Sequence, residues 1–373
     1  MDSPRTLTEQ LLGDHLADGE LTPGETIAID VDQVLLQDVL GPLVWIEFEA
    51  LGFDEVQTDV AVTYADHQVY QFDSDDTDTH RYLRTAAQHY GGHFSKPGNG
   101  ICHQVHRERF IEPGATLLGC DSHSTTMGGF GAIGIGAGGL DVATAMGGSA
   151  YTFEMPEIVE VRLDGELADW ASAKDVILEL LRRLSVEGGV GRVFEFTGPG
   201  VETLSVPERC TIANMTTELG ATTAVFPSDD RTRRHLRRLG REDAFTELAP
   251  DEGAAYDDQL RVDLADVEPL VAKPSMPDKV VPVSAVAGSP STSVWSARAR
   301  TGRTSTSRRS RTSSRARRSR ARRTSWSRRR RSARSKCSPG RAALPTSTRR
   351  ASTSRRRPAA PASARATCPR RTP

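Results

Sequence analysis

Two periods of apolar residues run through roughly the first 280 positions, and together they predict a mixed architecture. Short apolar runs at Thr26–Ile29 and Ala115–Leu118 read as buried strands, the second ending in the polar turn Gly119–His123. Val159, Val161 and Leu163 alternate with charged neighbours, as in a half-buried strand. After Ser172 the spacing changes: Val176, Ile177, Leu180, Leu181 and Leu184 recur at helical intervals. Val193–Phe196 is a further strand, running into the turn Gly198-Pro199-Gly200. Between these lies a glycine-dense run, Gly128–Gly148, whose second half (Leu140, Val142, Ala143, Ala145, Met146) suits a tightly packed helix. Strands mixed with helices, without a strict repeat, predict a layered α/β fold.

Composition divides the chain. A boundary is expected near Met155-Pro156, and a linker at Glu268–Asp278, where Pro269, Pro274 and Pro277 cluster. The expected domains are 1–155 and 156–278, both α/β, then the start of a third at 279–288 that never develops. Residues 289–373 form an Arg/Ser-rich, low-complexity tail without one Asp or Glu, expected to be disordered. All 49 acids therefore lie in residues 1–278, against 20 bases there, and the formal net charge of -1 hides two opposite halves. Only Lys96, Lys174 and Lys273 are lysines before residue 279, a surface suited to molar salt, where the Debye length falls to about 3 Å and carboxylate repulsion is screened.

Cys102, Cys120 and Cys210 are scattered without CxxC spacing, which argues against a disulfide framework and for a reducing compartment. No apolar run is long enough for a bilayer span, and MDSPRTLTEQ lacks the pattern of a signal peptide. The expectation is a cytoplasmic protein with no membrane partner.

Three polar clusters can carry chemistry: Asp66-His67, His103, and Asp121-Ser122-His123 behind a strand. Histidines beside carboxylates serve as general acids or bases, and they serve equally as surface residues or caps. Gly134, Gly136 and Gly139 satisfy GxGxxG, with Glu157 and Glu160 at the distance of a ribose-binding acid, which keeps a dinucleotide site open beside close backbone packing. His103 and His106 lie one helical turn apart, as two zinc ligands would, but no third ligand is fixed. Cys102 and Cys120 read as small buried residues.

These motifs are not independent. GNGICHQV followed by PGATLLGCDSHSTTMGGFGAIGIGAGGLDVATAMGG resembles the signature of the aconitase and isopropylmalate dehydratase family. So do LLQD (Leu35–Asp38), ADHQ (Ala65–Gln68), GGVGRVFEFTGPG (Gly188–Gly200) and NMTTELGATTAVFP (Asn214–Pro227), in family order over about residues 5–288. Among members the chain looks most like a haloarchaeal aconitate hydratase; the isopropylmalate and homocitrate branches share the same blocks. The resemblance implies a hydro-lyase acting on a tri- or dicarboxylate with a 4Fe-4S cluster. It assigns substrate carboxylates to Gln37, Asp121, Ser122 and His123, and protonation of the departing hydroxyl to Asp66 and His67. It pairs His103 with Asp121 and Glu218 with His123, and gives Asn214 a place supporting the cluster.

The family draws its cluster ligands from GSCTN and CG[PA]C segments, and neither occurs here. Cys337 and Cys368 stand isolated in the tail, so no metal ligand is expected in this chain. The neighbouring reading frame is compatible with both missing segments. Permitted codons for Trp295–Gly302 (WSARARTG), read one nucleotide before Ser296, give Val-Gly-Ser-Cys-Thr-Asn-Gly, and Pro358–Ala364 shifted alike gives Cys-Gly-Ala-Cys-Ile-Gly. The tail is therefore expected to be a frameshift product and the chain inactive. The rival reading is a basic tail that holds nucleic acid non-specifically, although Trp295 and Trp326 are its only aromatics.

Overall fold

The computed structural model describes residues 3–288. The tail and the start of the shifted segment, with Cys337, Cys368, Trp295 and Trp326, lie outside the described residues.

In chain order the elements are α1 (Leu7–Asp14), β1 (Leu16–Asp18), β2 (Thr26–Ile29), β3 (Gln33–Gln37), α2 (Gly41–Leu51), β4 (Val60–Tyr64) and α3 (Ser74–His89). Then come β5 (His93–Ser95), α4 (Cys102–Arg109), β6 (Thr116–Gly119), β7 (Ile133–Gly136), α5 (Gly139–Met146), β8 (Tyr151–Glu154) and β9 (Glu157–Asp164). The rest are α6 (Ala173–Leu184), β10 (Arg192–Thr197), α7 (Val206–Met215), β11 (Thr223–Val225), α8 (Asp230–Leu239), β12 (Asp258–Asp263), β13 (Leu270–Ala272) and β14 (Val280–Pro282).

Two parallel sheets carry the architecture, which is the layered α/β fold that the apolar periods predict. The first has the order β5-β4-β3-β6-β7, the second β11-β10-β9-β12. Every residue of β3 is buried, as a central parallel strand covered on both faces requires. The strand order reverses between β3 and β6, the place where parallel sheets open a crevice beyond their carboxyl ends. A small antiparallel sheet, β1-β2-β8, completes this half.

Local chemistry sets the helix starts. Thr6 with Glu9, Ser172 with Asp175 and Ser205 with Glu208 form capping boxes on α1, α6 and α7. The predicted face of α6 is found, with Val176, Ile177, Leu180 and Leu181 fully buried. The proline-rich stretch read as a linker contains β13, which pairs antiparallel with β14, because Leu270 and Val280 pack into the core around β9 and α6. Among the described residues no helix is long and apolar enough to cross a membrane.

Candidate active site

The candidate residues converge at the carboxyl ends of the first sheet. Gln37 ends β3 and Asp38 follows it, Asp66 and His67 follow β4, Asp121–His123 follow β6, and His103 sits in the first turn of α4 after β5. Parallel strands place their trailing loops side by side, so residues far apart in sequence meet here.

Asp121 is the hub. Its Oδ1 lies 2.7 Å from His103 Nε2, and its Oδ2 lies 3.4 Å from His67 Nε2. Its Oδ1 also accepts the His123 main-chain N–H at 2.9 Å, capping the 3-10 helix Ser122–Phe130. His67 Nδ1 faces Asp66 Oδ1 at 3.0 Å, and Asp66 Oδ2 accepts the Cys102 N–H at 2.6 Å. Asp66 thus caps α4, where the helix dipole favours a carboxylate, and fixes the His67 ring.

Electrostatics follow from this alternation of carboxylate and imidazole. His67 is pushed up to about 10, first by its bond to Asp121 and next by that to Asp66, against the opposing effect of burial. Burial alone would raise Asp121, but bonds from His103 and His67 hold it far below the usual carboxylate range. Asp66 is lowered in the same way, burial again opposing, by His67 and the Cys102 amide. At neutral pH the site holds a cationic His67 between two ionised carboxylates.

The sequence did not single out Asp38. Its carboxylate is buried beneath the site and accepts the main-chain N–H of His67 (2.9 Å) and Gln68 (3.0 Å) and a bond from His80 Nε2 (3.1 Å). It fixes the loop that carries His67. The motif LLQD contained it, but nothing local marked which carboxylate would face inward. Gln37 turns its Oε1 to the amides of Val39 and Leu40, and its amide nitrogen is the group that can donate to a carboxylate.

The far wall comes from α7 and the turn behind it. Asn214 donates to Thr126 Oγ1 at 2.7 Å and its carbonyl lies 3.1 Å from His123 Nδ1. Glu218 occupies the following 3-10 turn, whose Thr217 hydroxyl donates to the Ser122 carbonyl at 2.7 Å. His123 Nδ1 faces the Asn214 carbonyl, and the turn that carries Glu218 is tied to the His123 loop through Thr217.

The glycine run is packing beneath this loop. A Cβ at Gly134 would lie 2.3 Å from the Ser124 carbonyl, at Gly136 2.9 Å from Ser122 Cα, and at Gly128 1.6 Å from the Ala224 carbonyl. Backbone meets backbone at these positions, which gives Gly134 and Gly136 of GxGxxG a packing reason of their own, while a Cβ at Gly139 would meet the Glu47 side chain at 3.0 Å. His103 and His106 do not act as a pair. His106 is fully buried, its Nδ1 accepting from the Tyr64 hydroxyl (3.0 Å) and its Nε2 donating to Gln33 Oε1 (2.9 Å), and burial lowers it to about 3.

Among the described residues one group offers three metal-binding donors, Asp66, His67 and Cys102, with ligand atoms within 4.8 Å of one another. An iron–sulfur cluster needs thiolates. Cys102, Cys120 and Cys210 are all buried, burial pushes each thiol up, and only Cys102 belongs to a donor group. The described residues do not fit such a cluster. Two buried atoms at the site, His103 Nδ1 and Asn214 Oδ1, have no hydrogen-bond partner among the described residues.

A parallel α/β fold with alternating histidines and carboxylates at its switch point is an arrangement of residues that can exchange protons. Comparison with known sequences narrows it: the Aconitase family (aconitate hydratase) profile matches residues 9–323, running past Gly288, where the ordered motif blocks stop. The chain belongs to the aconitase family. It is 37% identical over 282 residues to 3-isopropylmalate dehydratase large subunit 1 of Thermotoga maritima, covering 76% of this chain and 67% of that protein. It is 36% identical over 303 residues to the mitochondrial aconitate hydratase of Gracilaria gracilis, and 34% over 313 to the mitochondrial homocitrate dehydratase of Saccharomyces cerevisiae. Each of these two alignments covers 76% of this chain, but only 39% and 41% of the relative, so the chain spans about two-fifths of their length.

Proposed function

We propose that this chain carries the proton-handling half of a hydro-lyase site that dehydrates and rehydrates a hydroxy-polycarboxylate, with citrate and isocitrate as its pair. The observation that carries the reading is Asp121 held between His67 and His103. Hydroxide is a poor leaving group, and a cationic imidazole beside it lowers the barrier by delivering a proton. His67 is such a cation, oriented by Asp66 and Asp121 on its two ring nitrogens. Gln37, Ser122 and His123 line the same strand ends and supply groups that can donate to substrate carboxylates.

The family implies a 4Fe-4S cluster, which when bound supplies a Lewis acid for the hydroxyl and a carboxylate. The family's ligand segments correspond to positions after residue 288, and in the reading frame given they hold no thiols at the required spacing. We take the chain as written to be a frameshifted, inactive form of a cytosolic enzyme from a high-salt interior. The relatives' names span isopropylmalate, citrate and homocitrate chemistry, so the substrate assignment needs its own assay. Turnover of citrate, isopropylmalate and homocitrate by the frame-restored protein, followed by alkene absorbance, tests it. Preference for isopropylmalate would replace the citrate assignment, and no turnover of any of the three would defeat the reading.

A further inference from the structure

Outside the candidate active site, a cleft of about 820 Å³ opens between α3 and the edge strand β5. Its lining includes Arg81, Arg84, Lys96, His80 and His93, and no Asp or Glu. That is unusual in a region where 49 acids face 20 bases. Arg81 leans towards Asp78 at 3.5 Å, with both side chains well exposed. Arg84 and Lys96 have no carboxylate within ion-pair distance among the described residues. Like charges converging on a concave surface repel one another and focus a positive potential there, a cost that an anionic ligand removes.

The floor of the cleft is connected to the candidate active site. The Thr77 hydroxyl donates to Gln71 Oε1 at 3.2 Å, and Gln71 Nε2 donates to His80 Nδ1 at 2.7 Å. His80 Nε2 then donates to Asp38 Oδ2 at 3.1 Å, the carboxylate that holds the His67 and Gln68 amides. His80 thus has one ring nitrogen on Gln71, at the floor of the cleft, and the other on Asp38.

We propose that this cleft is a binding site for a small polyanion, bearing two or more carboxylate or phosphate groups, held by Arg81, Arg84 and Lys96 and sensed at Asp38 through Gln71 and His80. Guanidinium and ammonium groups bind both kinds of oxyanion, and the span of an 820 Å³ cleft accommodates a ligand with several of them. The site is independent of the hydro-lyase reading, since it needs neither a cluster nor turnover.

The test titrates the full chain with pyrophosphate and, separately, with propane-1,2,3-tricarboxylate, at ionic strength matched with chloride. Calorimetry follows binding, and the ring signals of His80 are followed by NMR. The expected result is saturable binding of at least one probe, at least tenfold weaker in Arg84→Glu/Lys96→Glu, with a shift of the His80 ring signals in the unmodified protein. Arg84 and Lys96 are exposed, and Arg84→Gln/Lys96→Gln, with a smaller loss, separates charge from misfolding. Whichever probe shows the charge-dependent loss identifies the ligand class. No saturable binding of either probe, or binding undiminished by the charge reversal, overturns the site. Binding that leaves the His80 ring signals unmoved overturns its connection to Asp38.

Discussion

His67 Nε2 lies 3.4 Å from Asp121 Oδ2, joining the loops after two strands that are separated in the sheet by β3. The contact makes His67 a cation and holds two chain segments together, so it bears on both chemistry and stability.

Its pH dependence has a defined sign. The folded value of His67, about 10, lies above its ordinary 6.5, so the pair's stabilisation is fully present below about 6.5 and is lost as pH rises through about 10. Asp121 is shifted the other way: its contribution is present above 3.8 and is lost as pH falls through its lowered folded value. Urea unfolding from neutral pH to about 10 should show a declining midpoint, and Asp121→Asn should flatten that decline. An unchanged slope in Asp121→Asn would remove the pair from the account.

The glycine run makes a steric prediction. Gly128→Ala drives a Cβ to 1.6 Å from the Ala224 carbonyl, and backbone on both sides cannot yield cheaply, so a loss of about 1–3 kcal/mol or more is expected. Gly13→Ala is the contrast. In α1 its nearest contacts are an ordinary 3.6 Å, and a gain of about 0.5–1 kcal/mol is expected from helix propensity. Chemical denaturation of both variants measures the difference.

His106 is structural on this account. Truncation in His106→Ala strands the Tyr64 hydroxyl and Gln33 Oε1 in the core, with an expected cost of about 2–4 kcal/mol. The unfolding midpoint should fall while the His67 ring signals stay in place. A displaced His67 would give His106 a role in the site.

The acidic surface predicts salt dependence. Raising ionic strength from ~0.15 M to ~1 M KCl shortens the screening length from about 8 to about 3 Å and should raise the melting temperature. A protein equally stable at both would not be adapted to high salt.

What could be read from the chain depended on how local each signal was. The strand at Thr26–Ile29 and the buried stripe of α6 follow from residue periods within a few positions, and both were legible. The meeting of Asp66, His67, His103 and Asp121 depends on strand order, which no local pattern encodes; the polar clusters singled those residues out one by one, and only the family resemblance joined them. Asp38 and His80 were missed because their partners lie 29 and 42 positions away, and a buried carboxylate looks in sequence like any other. The strand Leu270–Ala272 was hidden by the prolines around it, since its pairing comes from packing on α6.

The measurement closest to the central claim compares two proteins under the same iron–sulfur reconstitution: the chain as written, and the product of a gene shifted by one nucleotide between codons 286 and 296. The account predicts cluster absorbance and citrate-to-isocitrate turnover in the restored protein, reduced about 10²–10⁴-fold by Asp121→Asn, and neither signal in the chain as written. Equal turnover in the two proteins, or a restored enzyme indifferent to Asp121→Asn, would contradict it.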